Sequence, residues 1–298
     1  MRTGLCLVAA VVLVGAHAEA GSTNKERVTP EPFGGCQFSK KTMSFAGDVQ
    51  TQTRCLLRKV RVKGTGADPQ QIPNWLVDHV DKPTDISEEK LRQYLAKNDL
   101  TAKQVGGEPQ TPTASAVRYF VIHDTSSPEI STSSEFPKDM DSRDYTGNRL
   151  EGVWSNSEVR LKVNAITSRD GQSLMFRDWG LEREMSGTKL ELRRDKPGQI
   201  QNIPEARPLF VHVENVQPRI KPKDSWAWKA PEQGLTDAQE KRLALLYVTA
   251  SYKAGRWLVP AYHFNIDQGI PQGHDDPQNI NLNNWVSQIE AIHRILRT

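Results

Sequence analysis

The chain has 298 residues, 39 Lys and Arg against 36 Asp and Glu, and a formal net charge of +3. That length allows one large domain or two modest ones with real cores. The balanced charge, with no block of Lys or Arg, excludes a nucleic-acid binder built on charge.

Arg2 precedes an apolar run from Leu5 to Ala16, and small residues follow at Ala16, Ala18 and Ala20. This layout predicts a secretory signal peptide over 1–20. The run is too short for a comfortable transmembrane span. Cys6 stands before the run rather than after it, which argues against lipidation. No other segment reads as a span, so the expectation is an exported protein, periplasmic or extracellular, with no integral membrane anchor. Loss of the signal leaves Cys36 and Cys55. In an oxidising compartment they read as a disulfide, worth about 3 kcal/mol for a loop of about 20 residues. Two buried free thiols are the alternative.

Residues 21–32 read as a flexible polar leader, and 33–110 as a small N-terminal α+β extension domain. Within the extension, Cys55 to Val62 predicts a strand. Ile86 to Leu95 predicts a helix with Ser87 as N-cap and Leu91, Tyr94 and Leu95 on one face. The Gly- and Pro-bearing stretch 106–113 predicts a linker.

The main domain is expected over 115–298. Ala116 to Ile122 is apolar and β-prone, as in a central strand, which puts His123 at its C-terminal end. A polar loop over 124–148 follows. Val159 to Thr167 predicts a strand, and Asp170-Gly171 a hairpin leading into the next one. Leu209 to Val216 predicts a strand with Phe210, His212 and Glu214 on one face. Thr236 to Ala254 is the clearest helix: Thr236 caps it, Gln239 completes a capping box, and Gly255 suits the position after its end. Trp285 to Leu296 predicts a final amphipathic helix. Alternating strands and helices give an α/β domain with a mixed central sheet flanked by helices.

Two imidazoles and a carboxylate, His123, His263 and Asp276, make a candidate metal set. A hydrolytic zinc site needs three protein ligands and one open position. Asp275 is the competing carboxylate.

The runs VRYFVIHDTSSP (117–128), DG (170–171), TKLEL (188–192), VHVE (211–214), LTDAQ (235–239), VPAYH (259–263) and DDPQNINLNNW (275–285) follow in this order. Together they resemble the zinc-dependent N-acetylmuramoyl-L-alanine amidases of the type 2 family, whose fold peptidoglycan recognition proteins share. The resemblance covers about 115–298. It implies one zinc per chain on His123, His263 and Asp276, the Asp-Pro pairing favouring Asp276 over Asp275. It implies Glu214 as the residue that activates water, against a plain capping or pairing role. His274 stands where many members carry a lysine that stabilises the oxyanion. That departure leaves either an imidazole donor or a supporting contact. Asn164 stands where the family often has a histidine and receives no role.

The implied substrate is peptidoglycan or muropeptides, cut between muramic acid and L-alanine. A non-catalytic recognition protein is the alternative, disfavoured by the acidic third ligand and Glu214. His212 either lines the cleft or is packed or exposed. His79 and His293 read as surface or helix-face residues. Trp154, Trp179, Trp226 and Trp228 stack on sugars or, by preference, pack; Trp285 packs the last helix.

Overall fold

The computed structural model of the chain describes residues 36–61, 66–109, 115–130, 135–179, 186–192, 203–223, 227–268 and 274–298. The expected signal peptide, the leader and Trp226 lie outside the described residues.

The chain opens with a hairpin, β1 (Phe38–Ser39) and β2 (Ser44–Phe45), then α1 (Val49–Leu56). The strand expected from Cys55 to Val62 is corrected here: Cys55 and Leu56 end α1, and among the described residues the strand is β3 (Lys59–Val60), paired with β4 (Ala67–Asp68); Val62 lies outside the described residues. The Asp48 side chain accepts from the Thr51 N–H and starts the helix. Thr53, Cys55 and Leu56 are its buried residues, and that burial outweighs a β-like local sequence. Cys36 and Cys55 form a disulfide, 19 residues apart. Helices α2 (Asn74–His79) and α3 (Glu88–Lys97) follow, with Ser87 capping α3 as expected.

A five-stranded sheet forms the centre: β5 (Tyr119–Ile122), β7 (Ala165–Thr167), β8 (Ser173–Met175), β9 (Phe210–Asn215) and β11 (Val259–Tyr262). Its order is β11-β5-β9-β7-β8, parallel except for β8. Two short strands, β6 (Glu129–Ile130) and β10 (Arg219–Ile220), pair beside it. The strand expected over 159–167 shortens to its last three residues. Glu158–Leu161 is a 3-10 turn instead, with Leu161 52% exposed and Val159 packed at the edge of a small cluster around Leu150, Trp154 and Ile166.

Helix α4 (Asp237–Ala254) begins at Thr236, whose hydroxyl accepts from the Gln239 N–H, and ends at Gly255 with φ 71°. Gln239 does not reach back to close the capping box. Its amide donates to the Thr167 and Val216 carbonyls and ties the helix to the sheet. The short α5 (His263–Asp267) follows β11 directly, and α6 (Leu282–Leu296) starts three residues earlier than expected, capped by Asn281. No described helix is long and apolar enough to cross a membrane.

The two sheet faces have different cover. Phe120 points toward α4, meeting Tyr247 edge-on at 5.3 Å, and Trp179 at 6.3 Å. The opposite face carries Tyr119 and Phe210, stacked at 5.0 Å. Phe45 meets Tyr119 edge-on at 5.2 Å, and Phe38 lies 6.1 Å from Phe210. The first hairpin therefore covers the lower half of this face, and its residues belong to the same hydrophobic core as the sheet and α6. The upper half of this face carries the histidines.

Candidate metal centre

The register of the parallel strands builds the site. Tyr262, Ile122 and Val213 are paired across β11, β5 and β9. One residue further along each strand lie His263, His123 and Glu214, neighbours at about the 4.8 Å spacing of adjacent strands. The His123 N–H donates to the Val213 carbonyl at 2.9 Å, which carries the pairing past the last ladder residue. One layer below, on the same face, stands His212.

Asp276 reaches this row from the segment before α6. The Phe264 N–H donates to its carbonyl at 2.9 Å, and the Asp124 N–H to its carboxylate at 3.2 Å. Asp124 also accepts from the Gln278 N–H at 2.9 Å and pairs with Arg219 at 2.6 Å, both ions being buried. The residue after His123 thus holds the segment that bears Asp276. Asp275 accepts from the Gln278 amide instead.

His123, His263 and Asp276 are buried together and could hold a metal ion. Nδ1 of His123 and Nδ1 of His263 face each other at 2.9 Å, and His263 Nδ1 lies 3.1 Å from Asp276 Oδ2. His123 Nδ1 lies 3.7 Å from Asp276 Oδ2. A tetrahedral zinc with ligand bonds near 2.0–2.1 Å separates its ligand atoms by about 3.3 Å. The three separations bracket that edge, so the donor set fits the ion.

Electrostatics agree with a site built for positive charge. Burial works against a charge on His263, but Asp276 and Asp267 outweigh it and push its pKa well above the ordinary value. Burial lowers His123, and the charge of His263 lowers it further. Burial acts to raise Asp276, yet His263 holds it below the usual carboxylate range. Burial, then Asp276 and Asp124, push Glu214 well above its usual range.

Glu214 is 8% exposed and its side chain makes no hydrogen bond to another described residue, which leaves its carboxylate available for a water. The His274 side chain is 59% exposed, its ring 4.7 Å from that of His263, and its Nδ1 3.7 Å from Asp276 Oδ1. His212 is fully buried between His123 and Glu191, so it does not line the cleft. Asn164 lies beside it, its side-chain oxygen accepting the His212 N–H at 2.9 Å. Trp154 donates to the Gly147 carbonyl and Trp179 to the Val105 carbonyl, both buried; Trp285 is buried against Tyr247. Trp228 is half-buried. His293 is buried rather than on the surface, bonded to Asp85 at 2.7 Å, and His79 stacks on Trp75.

Residues not singled out from the sequence complete the surroundings: Asp124, Glu191, Arg219 and Asp267. Asp267 had a signal, since it lies four residues after His263 on the same short helix. Glu191 had only its place in the TKLEL run. Compared with models of known families, with curated proteins and with solved structures, the chain matches none.

Proposed function

We propose that the chain is an exported zinc amidase that hydrolyses the amide joining the lactyl group of N-acetylmuramic acid to L-alanine in peptidoglycan. The observation that carries this reading is the convergence of His123 Nδ1, His263 Nδ1 and the Asp276 carboxylate, with Glu214 in the same row of the sheet. The disulfide is in keeping with an oxidising compartment.

A zinc ion held by these three residues supplies a Lewis acid and brings the pKa of a water toward about 7. Glu214 accepts the proton of the attacking water. Burial raises its basicity, the direction a general base needs. Glu214 then delivers the proton to the amine of L-alanine as the C–N bond breaks, leaving a lactyl carboxylate. His274 stands at the open side of the site and donates a hydrogen bond to the amide oxygen as charge develops there. Burial pushes His274 below its ordinary value, so it donates as a neutral imidazole N–H.

The test is digestion of insoluble peptidoglycan by the purified mature protein, with and without chelator, followed by mass spectrometry of the soluble products. Peptides with a free L-alanine amine, released only without chelator and leaving the sugar chains intact, support the reading. Peptidoglycan that is bound but uncut moves the chain to the recognition class. Replacing His123, His263 or Asp276 by Ala should remove tight zinc binding and activity together; unchanged zinc stoichiometry in all three would sink the ligand set.

A further inference from the structure

We infer that the 187–191 turn is the outer clamp of the metal centre, orienting both ligand imidazoles through two separate carboxylates. This rests on the metal reading proposed above. It adds Glu191, His212 and Asp267 as positioning residues that touch neither metal nor substrate.

The argument is one of donors and acceptors. Glu191 is fully buried, and its Oε2 accepts from both the N–H and the hydroxyl of Thr188, at 3.2 and 2.6 Å. Its Oε1 lies 3.0 Å from His212 Nε2. A carboxylate only accepts, so His212 Nε2 carries the proton. With one proton on the ring, His212 Nδ1 is bare, and it lies 3.0 Å from His123 Nε2. His123 must donate there, and its own Nδ1 is left as a lone pair facing the metal position.

The second arm uses the same turn. The N–H groups of Lys189 and Leu190 donate to the Asp267 carboxylate at 2.8 and 3.2 Å. Asp267 Oδ2 lies 2.9 Å from His263 Nε2. That ring also spends its Nε2 proton on a carboxylate and turns Nδ1 toward the metal position. The two arms together aim two Nδ1 atoms and the Asp276 carboxylate at one point, a donor set that suits a metal ion once His263 Nδ1 gives up its proton.

Two further features fit the clamp. The Glu191 carboxylate has no Lys or Arg hydrogen-bond partner among the described residues, the Arg207 Nε donating instead to the Glu191 backbone carbonyl at 2.9 Å, although a buried carboxylate is costly without a counter-charge. The metal, two rings away, is the charge that answers it. Gly187 presses on the ring of His212: a Cβ there would come within 2.5 Å of His212 Nδ1. Only glycine lets the turn approach so closely.

Glu191→Gln gives a sharp test. Thr188 offers two donors, so the new amide keeps its oxygen there and turns its NH2 toward His212. The relay then reverses: His212 carries its proton on Nδ1, and His123 carries its proton on the nitrogen that faces the metal. The experiment is zinc titration of the full mature protein against a chromophoric chelator, with NMR of histidine-15N-labelled, metal-free protein to read the His123 tautomer. Expected results are zinc binding weakened about 10–100-fold, with His123 changing from its Nε2–H to its Nδ1–H form. Asp267→Asn tests the other arm independently, with a similar loss expected, and it stands if Glu191→Gln does not fold. Glu205→Gln, an exposed change, should bind zinc like the wild type. Folded Glu191→Gln and Asp267→Asn proteins with wild-type zinc affinity and an unchanged His123 tautomer would overturn the clamp while leaving the metal site intact. A wild type that binds zinc no better than His263→Ala overturns the metal reading, and the clamp with it.

Discussion

Truncating Phe45 to Ala tests whether the first hairpin is part of the sheet's core or an appendage. Phe45 is 2% exposed and meets Phe38 at 5.1 Å, Tyr119 at 5.2 Å and Phe210 at 6.4 Å. Its own N–H donates to the Tyr119 hydroxyl at 3.2 Å. Phe→Ala in a core costs about 3–5 kcal/mol, depending on how far the site collapses. Tyr119 and Phe210 are rooted in central strands and cannot close the gap, so about 4 kcal/mol is expected here. In a protein of this size each kcal/mol moves Tm by about 2–4 °C, which gives a fall of about 8–16 °C. Phe210 also stacks against His212 at 6.2 Å, so a loosened aromatic layer should weaken zinc binding several-fold. The assay is calorimetric melting with and without zinc, beside the half-exposed control Val153→Ala, expected to move stability by no more than about 0.5 kcal/mol. A fall of under about 2 °C for Phe45→Ala would show that the hairpin does not cover the sheet, and the packing argument would fail.

Glu214→Gln should keep zinc bound and slow turnover by roughly 10²–10⁴, the usual weight of a general base; a fully active variant would remove Glu214 from the mechanism. Burial pushes Glu240 up to about 7, outweighing the hydrogen bond from Asn284. Its proton is therefore held more tightly in the folded state, so its contribution favours folding at low pH and is lost as pH rises from about 4.5 through about 7. Glu240→Gln should match the wild type near pH 4.5 and exceed it by up to about 3 kcal/mol at pH 8.5 in urea titrations. An equal difference at both pH values would contradict this. Replacing Cys36 and Cys55 together by Ser should cost about 3 kcal/mol for this loop length, and reducing agent should lower the wild type's Tm but leave the variant's unchanged.

The elements legible in the sequence were those whose local signals and tertiary roles agree. Ser87 and Thr236 cap helices because their hydroxyls accept from backbone N–H groups three residues on, a purely local event. His123 at a strand end was legible because Tyr119 to Ile122 is apolar on both faces, as a central parallel strand must be. The failures lie where tertiary burial overrides local pattern. Cys55 and Leu56 look extended, but the packed face of α1 makes them helical. Val159 and Leu161 alternate like a strand, but they lie in a 3-10 turn where Leu161 faces water and Val159 is only partly buried. Among site residues, His123, His263 and Asp276 were found because metal ligation demands particular residue types. Asp267 bonds His263 directly and had only its i+4 spacing as a signal, while Glu191 reaches His123 through His212, a contact that nothing in the sequence marks until the fold brings it close. Asp124 was hidden in the same way, its role set by the Gln278 and Asp276 contacts rather than by its type.

The division of the sheet face explains why the extension and the site come together. A parallel strand end gathers side chains from several strands into one row, but only if the rest of that face is dry and rigid. Here the lower half is sealed by Phe38, Phe45, Tyr119 and Phe210, and the upper half carries His263, His123 and Glu214. The extension also reaches α5: the Asn265 amide donates to the Leu56 and Arg58 carbonyls at 2.9 and 2.8 Å, and Arg58 bonds Gln268. Asn265 lies between His263 and Asp267 on one short helix. A helix of five residues has little stability of its own, so the contacts that fix it fix the ligand and its carboxylate together. The N-terminal segment is then a supporting wall of the site, and losing it should weaken metal binding although it supplies none of the three candidate ligands.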